Sequence, residues 1–154
     1  MTDEDKAYLR TQIAEISLFR NFTADELERL LPYLELESYD DNTILFKEGD
    51  RGDYLCVALE GTIEIRKESI SNKQTVIAKF GRGSIVGEMA LIDQFPHSAV
   101  AQVTANSKLL IFSRERFEKF LEAEPQLGIR ILREVARILS QRLRRHSGRF
   151  SDIF

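Results

Sequence analysis

Three glycines and a carboxylate lie close together in the segment from Gly81 to Leu91, which reads GRGSIVGEMAL. A turn that opens directly into a helix leaves the first helical amides without acceptors, and the positive end of the helix dipole adds to their attraction for an anion. We therefore expect the amides of Glu88 to Leu91 to form an anion-sized nest. Gly87, which has no side chain, would allow a ligand to approach this nest closely. A sugar hydroxyl is the natural donor to the Glu88 carboxylate beside such an anion. Taken alone the pattern is weak, because glycine turns before helices are more often structural.

Other reactive side chains do not form a recognisable catalytic or metal site in the sequence. His97 and His146 lie far apart, and neither accompanies a serine or cysteine nucleophile motif. Cys56 is the only cysteine and lies within an apolar run, so it cannot form an internal disulfide and is expected to be buried as a small apolar residue. No metal-ligand spacing appears. We predict that the protein is not an enzyme and has no metal or cofactor.

The length and composition are those of one compact domain with its own core. The chain has 154 residues, of which 43% are apolar and 31% charged. The longest apolar run, Tyr54 to Leu59, is far shorter than the roughly 20 residues of a membrane span. The acidic start, MTDED, lacks the basic region of a signal peptide. We predict a cytoplasmic protein without a membrane span.

Charge changes sign along the chain. Residues 1–60 hold 15 acidic and 6 basic residues, whereas residues 125–154 hold 2 and 7. The basic end indicates either an anionic partner or a helix that complements the acidic half of the same chain, and we favour the second. Arg142, Arg144 and Arg145 are expected at a solvated helix end, because no set of stacking aromatic residues accompanies them.

Residues 1–34 are predicted to form N-terminal helices. Apolar spacing indicates a helix over Lys6–Phe19. Thr23 and Glu26 form a capping-box pattern for a second helix over Ala24–Leu34.

Residues 35–112 are predicted to form an antiparallel β-rich unit, a barrel or a sandwich, because short β-branched and aromatic runs alternate with turn residues. The predicted strands are Leu36–Tyr39, Thr43–Phe46, Tyr54–Leu59, Thr62–Lys67, Thr75–Phe80, Ser98–Thr104 and Leu109–Phe112.

Residues 113–146 are predicted to form C-terminal helices, followed by a frayed tail over residues 147–154. Ser113 is a candidate N-cap, and Pro125 suits the first turn of the last helix, which should reach about Arg145. That helix carries an apolar stripe that indicates a paired helix in a homodimer: Leu132, Val135, Leu139 and Leu143.

Three blocks together resemble the cyclic nucleotide-binding domain family, of the kind found in bacterial cyclic AMP receptor proteins. They are Glu48–Leu55 (EGDRGDYL), Leu59–Ile65 (LEGTIEI) and Gly87–Ile92 (GEMALI) ahead of Pro96. The resemblance extends over Ile16–Leu143. It implies an α+β fold in which an antiparallel β jelly-roll barrel has N-terminal helices and C-terminal B and C helices. It also implies a phosphate-binding cassette at about residues 81–99.

The resemblance assigns Glu88 to the ribose 2′-hydroxyl, places the amides of Met89, Ala90 and Leu91 near the cyclic phosphate, and puts Ser98 beside the phosphate or base. Gly49, Gly52 and Gly61 match turn glycines that do not touch the ligand. Where the family pattern has Pro-Arg, this chain has Pro96-His97, so the arginine that clamps the phosphate is absent. The expected ligand-binding residues are Gly87, Glu88, Met89, Ala90, Leu91, His97, Ser98 and Ala99.

Two functions follow from this pattern. The first is a regulatory sensor that binds cyclic AMP or cyclic GMP with a weakened phosphate clamp and couples binding to movement of the last helix. The alternative is a degenerate fold that acts without ligand as an interaction or dimerisation module. Only nine residues follow Arg145, so we expect no sequence-specific DNA binding, and an effector protein is the other possible partner. The sequence leaves the preferred base and the oligomeric state open.

Overall fold

Short helices form the N-terminal part of the chain. The computed structural model describes residues 1–68, 71 and 73–147. Helix α1 spans Asp3–Ile13 and is capped by Thr2, and a 3-10 turn follows over Ser17–Phe19. Helix α2 spans Ala24–Leu30 and has the predicted capping box of Thr23 and Glu26. A second 3-10 turn covers Leu31–Tyr33.

We predicted one helix over Lys6–Phe19 and one over Ala24–Leu34. Both ends of the first helix and the C-terminal end of the second were wrong. The Thr2 side chain accepts from the Asp5 amide, so α1 begins three residues earlier than predicted. The α-helix after Thr23 stops before Pro32, which has no amide to donate and disfavours helical backbone at the residue before it. Tightening the last turn into a 3-10 helix still orients Leu31 and Leu34 toward the core.

In the part of the chain that the structure describes, eight strands form two four-stranded antiparallel sheets. The first has the order β1-β8-β3-β6 and the second the order β2-β7-β4-β5. With the helices at both ends, this arrangement confirms the α+β jelly-roll fold. The strands are β1 Glu35–Tyr39, β2 Ile44–Phe46, β3 Tyr54–Glu60, β4 Ile63–Glu68, β5 Gln74–Phe80, β6 Ile85–Val86, β7 Val100–Val103 and β8 Ser107–Ser113.

Strand β3 lies at the centre of the first sheet and joins two hydrophobic cores. Leu55, Val57 and Leu59 pack with the helices, whereas Cys56 and Ala58 face the second sheet. This alternation follows from the two-residue period of a strand. Cys56 is buried as predicted, and burial raises the pKa of its thiol to about 12.

Two helices complete the described chain. Helix α3 spans Arg114–Ala123, with the predicted Ser113 cap accepting from the Arg116 amide, and α4 spans Pro125–Ser147. Ser147 thus belongs to α4, and the rest of the predicted tail, residues 148–154, lies outside the described residues. None of the described helices is both long and apolar enough to cross a bilayer.

The buried face of α4 differs from the predicted stripe. Val135 is 0% exposed and packs into the core with Leu127 and Ile131, so it is not part of an outward surface. Apolar residues beside the buried face follow a seven-residue repeat instead: Ile129, Leu132, Ala136, Leu139 and Leu143. Leu132 and Leu139 are partly buried against the core, whereas the other three are exposed. Basic residues of α4 partly complement the acidic half of the chain, because Arg130 forms an ion pair with Glu26.

Candidate functional site

A cavity of about 420 Å³ opens between the second sheet, the turn after β6 and the C-terminal part of α4. Seven of the eight predicted ligand-binding residues line it: Gly87, Glu88, Met89, Ala90, His97, Ser98 and Ala99. Leu91 does not line the cavity, because its side chain is 3% exposed and packs in the core beside the helices. Gly52, expected only as a turn glycine, lies in the wall of the cavity as well.

Gly87 makes the turn that leads from β6 into the site. Its φ of 76° lies in the left-handed region, and a Cβ atom there would stand 2.8 Å from the Tyr54 carbonyl oxygen. Both constraints favour glycine. The chain then forms a 3-10 helix over Glu88–Leu91, which is one turn long.

The expectation that all the amides from Glu88 to Leu91 are unpaired was wrong. The Ala90 amide donates to the Gly87 carbonyl at 3.0 Å, which closes the first 3-10 turn. In a 3-10 helix only the amides before that first bond lack an intrahelical acceptor. The donors available to an anion are therefore those of Glu88 and Met89, a smaller nest than the sequence indicated.

Glu88 is held by an arginine from the last helix. Arg142 Nη1 donates to Glu88 Oε1 at 3.0 Å, and Arg142 Nη2 donates to the Ile85 carbonyl at 2.8 Å. The guanidinium lies 4.8 Å from the centre of the Phe80 ring, within the range of a cation–π contact. Both charged side chains are largely buried, with 12% of Glu88 and 25% of Arg142 exposed.

Arg142 is therefore a residue of the site and not part of a solvated helix end, which corrects the sequence prediction. The position of Arg142 on the buried face of α4 could have been predicted from helical spacing. Arg142 follows Ile131, Val135 and Ile138 at helical spacing, so it continues the buried face of the helix. An arginine on that face needs an acidic partner or a carbonyl, and Glu88 and Ile85 supply both.

His97 lies in a loop that backbone hydrogen bonds fix to the β2–β3 connection. Its amide donates to the Asp50 carbonyl and its carbonyl accepts from the Gly49 amide, both at 2.8 Å. The imidazole stacks on Phe46, with ring centroids 3.5 Å apart and an interplanar angle of 11°. A half-buried, stacked ring in the cavity wall differs from the solvent-facing loop residue that was the alternative at the sequence level.

Burial holds the pKa of His97 below its ordinary value of 6.5. The carboxylates of Asp50, Asp53 and Glu88 act in the opposite direction, but their effect is smaller than that of burial. The imidazole is therefore neutral at pH 7 in the absence of a bound anion. It offers an anion one neutral donor in place of a permanent positive charge.

The remainder of the cavity wall is mostly apolar. Ile65, Ala78, Phe80 and Val86 come from the sheets, and Phe95 comes from the loop before His97. The site thus combines an apolar surface suited to a flat ring with amides, a carboxylate and an imidazole suited to a small polar group. Ser98 is exposed at its edge, where its hydroxyl is accessible.

Comparisons with known proteins agree with this geometry. A sequence profile of the cyclic nucleotide-binding domain matches residues 36–124. The cyclic AMP receptor protein of Thermus thermophilus is 26% identical over 127 residues, which is 82% of this chain and 57% of that protein. The lysophospholipase nte1 of Aspergillus fumigatus is 28% identical over 139 residues, which is 88% of this chain but only 9% of that protein.

A comparison of three-dimensional structures also finds similarity to a cyclic nucleotide-binding domain. The crystal structure of a cyclic nucleotide-binding domain from Methylobacillus flagellatus superposes with a TM-score of 0.82 and 30% identity, covering 97% of this chain and 85% of that one. The chain spans less than two thirds of the length of each curated relative named above. The profile match covers more than half of the chain and extends from the second residue of β1 through β8, so the protein belongs to the cyclic nucleotide-binding domain family.

Proposed function

We propose that the protein is a regulatory sensor domain whose cavity binds a cyclic nucleotide. The observation that carries this proposal is the convergence of the Gly87 turn, Glu88 and Arg142 in one cavity with apolar walls. The relative from Thermus thermophilus is named a cyclic AMP receptor protein, which makes cyclic AMP the first ligand to test. Cyclic GMP is the second ligand to test, because the sequence leaves the preferred base open.

The phosphate end of the ligand would lie against the amides of Glu88 and Met89 and near His97. An arginine at position 97 would supply a charge-assisted hydrogen bond that contributes about 1.5–3 kcal/mol, or roughly 10- to 150-fold in affinity. The neutral imidazole of His97 supplies less. We therefore expect cyclic nucleotide binding that is weaker than an arginine clamp would give, with the phosphate held mainly by the backbone.

The ribose end would bring the ligand into competition with α4. A ribose hydroxyl that donates to Glu88 shares the carboxylate that Arg142 now occupies. Because Arg142 also donates to Ile85, its side chain ties α4 to β6. A ligand that changes the Glu88–Arg142 contact therefore has different affinities for two positions of α4, which is the condition for coupling binding to helix movement.

The same contact favours the alternative of a ligand-free interaction module. Glu88 already has a charged partner, and His97 is stacked on Phe46 and not charged. A cavity whose polar groups have partners in the chain itself gains less from a ligand. The two functions differ in one measurable property, which is the affinity of the intact cavity for cyclic nucleotides.

Isothermal titration calorimetry of cyclic AMP and cyclic GMP into the full chain tests the proposal. We expect binding by the unmodified protein and a gain of about 10-fold or more for His97→Arg, which restores a permanent charge and a planar fork. Glu88→Gln should weaken binding by about 10-fold, because the amide accepts the ribose hydroxyl less strongly than a carboxylate does.

Glu122→Gln is the matched control for the charge change, since Glu122 is exposed on α3 and does not line the cavity. Its affinity should equal that of the unmodified protein. Absence of binding by both the unmodified protein and His97→Arg, with each shown to be folded by circular dichroism, rules out the sensor and leaves the interaction module.

A further inference from the structure

A second cavity, of about 590 Å³, lies on the other side of Arg142 and has a strongly basic lining. It is bounded by the residues after α1, the turn between β5 and β6, and the C-terminal part of α4. One carboxylate, that of Glu15, lines it. The cationic side chains in its wall are Arg20, Lys79, Arg82, Arg137, Arg142 and Arg145.

Four of these six cations already have an acidic partner. Arg82 contacts Glu15 at 3.0 Å, Arg137 contacts Glu134 at 2.8 Å, Arg142 contacts Glu88 at 3.0 Å, and Lys79 is 3.6 Å from Glu64. The guanidinium groups of Arg20 and Arg145 differ, because the structure records neither an ion pair nor a hydrogen bond for them within the described residues. Two arginines from separate segments thus line one cavity without an ion pair to another described residue, and its carboxylate, Glu15, is paired with Arg82.

We propose that this basic cavity binds a compact polyphosphate anion. Cations from three separate segments converge on one open cavity, whereas a nucleic acid backbone is bound by cations spread along a groove. The volume exceeds what a single phosphate needs. Planar guanidinium groups bind phosphate oxygens in pairs, so several arginines suit a short chain of phosphates.

The cavity recognises the phosphate chain and not a base. Phe80 is the one aromatic ring among the described residues of its wall, and the Arg142 guanidinium lies 4.8 Å from the centre of that ring. A nucleobase would have to displace this contact in order to stack. The shared chemistry of the ligand is therefore a linear triphosphate, either as an inorganic anion or as part of a nucleoside triphosphate.

This proposal goes beyond cyclic nucleotide binding and does not depend on it. Arg20 and Arg145 line only the basic cavity, so variants at these positions leave the wall of the first cavity unchanged. The two cavities share Phe80 and Arg142 in the wall between them. A failure of cyclic nucleotide binding would thus leave the polyphosphate result intact, and the reverse also holds.

Calorimetric titration of sodium tripolyphosphate into the full chain at 50 mM salt is the test. We expect Arg20→Ala and Arg145→Ala each to weaken binding by about 5- to 10-fold, because each removes a charged donor to phosphate. Arg133→Ala is the matched control, since Arg133 is exposed on α4 and does not line the cavity. The control should retain the affinity of the unmodified protein, and inorganic phosphate should bind at least 10-fold more weakly than tripolyphosphate.

A parallel titration of uridine triphosphate separates the two sources of the anion. We expect equal affinities for uridine triphosphate and tripolyphosphate, because only the phosphate chain is bound. Tighter binding of the nucleotide would overturn the statement that the cavity does not recognise a base. The proposal is overturned if tripolyphosphate gives no binding, or if Arg133→Ala loses as much affinity as Arg20→Ala and Arg145→Ala. Tighter binding of a 20-base-pair DNA duplex that these three variants weaken equally would also overturn it.

Discussion

His97 is the residue at which this chain departs most from the arginine pattern of its family. Because burial keeps the pKa of His97 below 6.5, the free protein holds the imidazole neutral at pH 7. A bound cyclic phosphate is an anion and stabilises the imidazolium, so binding and protonation favour each other. Cyclic nucleotide affinity should therefore rise as the pH falls from the pKa of His97 in the complex toward its lower pKa in the free protein.

We expect cyclic AMP affinity to increase by about 5- to 10-fold between pH 7.5 and pH 5.5, since a charged donor replaces a neutral one. Titration calorimetry at a series of pH values measures this change. His97→Gln keeps a neutral donor at every pH, so its affinity should stay nearly constant over the same range. Equal slopes for the unmodified protein and His97→Gln would assign the pH dependence to another group.

Sequence patterns identified most of the predicted residues that line the cavity, but not the ion pair between Glu88 and Arg142. Glu88 and His97 could be placed because their positions follow from a glycine turn and from the motif around Pro96. Arg142 could not be paired with Glu88, because the two residues are 54 positions apart and meet only through packing of α4 on β6. The hydrogen bond of the Ala90 amide could not be predicted either, because it forms only if the residues after Gly87 adopt a 3-10 turn.

At the scale of elements, the turn at Gly87 controls the geometry of the site. Gly87→Ala combines a left-handed backbone with a Cβ atom 2.8 Å from the Tyr54 carbonyl oxygen, which belongs to the rigid strand β3. We expect it to reduce the free energy of unfolding by about 2–3 kcal/mol and to abolish cyclic nucleotide binding. Urea denaturation followed by circular dichroism measures the loss in stability.

Gly81→Ala is the matched control for this substitution. Gly81 lies outside the left-handed region, and a Cβ atom there would have no other atom within 4 Å. Its effect on the free energy of unfolding should stay within about 0.5 kcal/mol. A similar loss for both variants would mean that removing any glycine from this segment matters, and not the backbone conformation of Gly87.

Elements with local signals were predictable, and elements that depend on distant pairing were not. The caps at Thr23 and Ser113 and the start of α4 at Pro125 follow from chemistry within four residues. Strand β6 has only two residues, Ile85 and Val86, and exists because β3 pairs with it. No periodicity can be read from two residues, so the sequence showed this strand only as part of a glycine-rich turn.

In the whole molecule, α4 has an inner face that packs on the core and an outer face with exposed apolar residues. Its inner face covers the core with Leu127, Ile131 and Val135, and Arg142 on the same face separates the two cavities. Its outer face retains the apolar positions from Ile129 to Leu143, of which Ile129 is 45% and Leu143 56% exposed. Leu132 and Leu139 of this repeat are partly buried against the core, so the positions that can contact a partner helix are Ile129, Ala136 and Leu143.

This outer face leads to a prediction about the oligomeric state. We propose that two copies of the chain pair through α4, in which case Leu143→Glu places a charge at the apolar contact and raises the dimer dissociation constant at least 10-fold. Gln141→Glu adds the same charge at an exposed position of α4 that lies away from the repeat, and it should have little effect. Sedimentation equilibrium measures both constants. A monomeric unmodified protein, or equal weakening by both variants, would show that the repeat does not pair two copies of the chain.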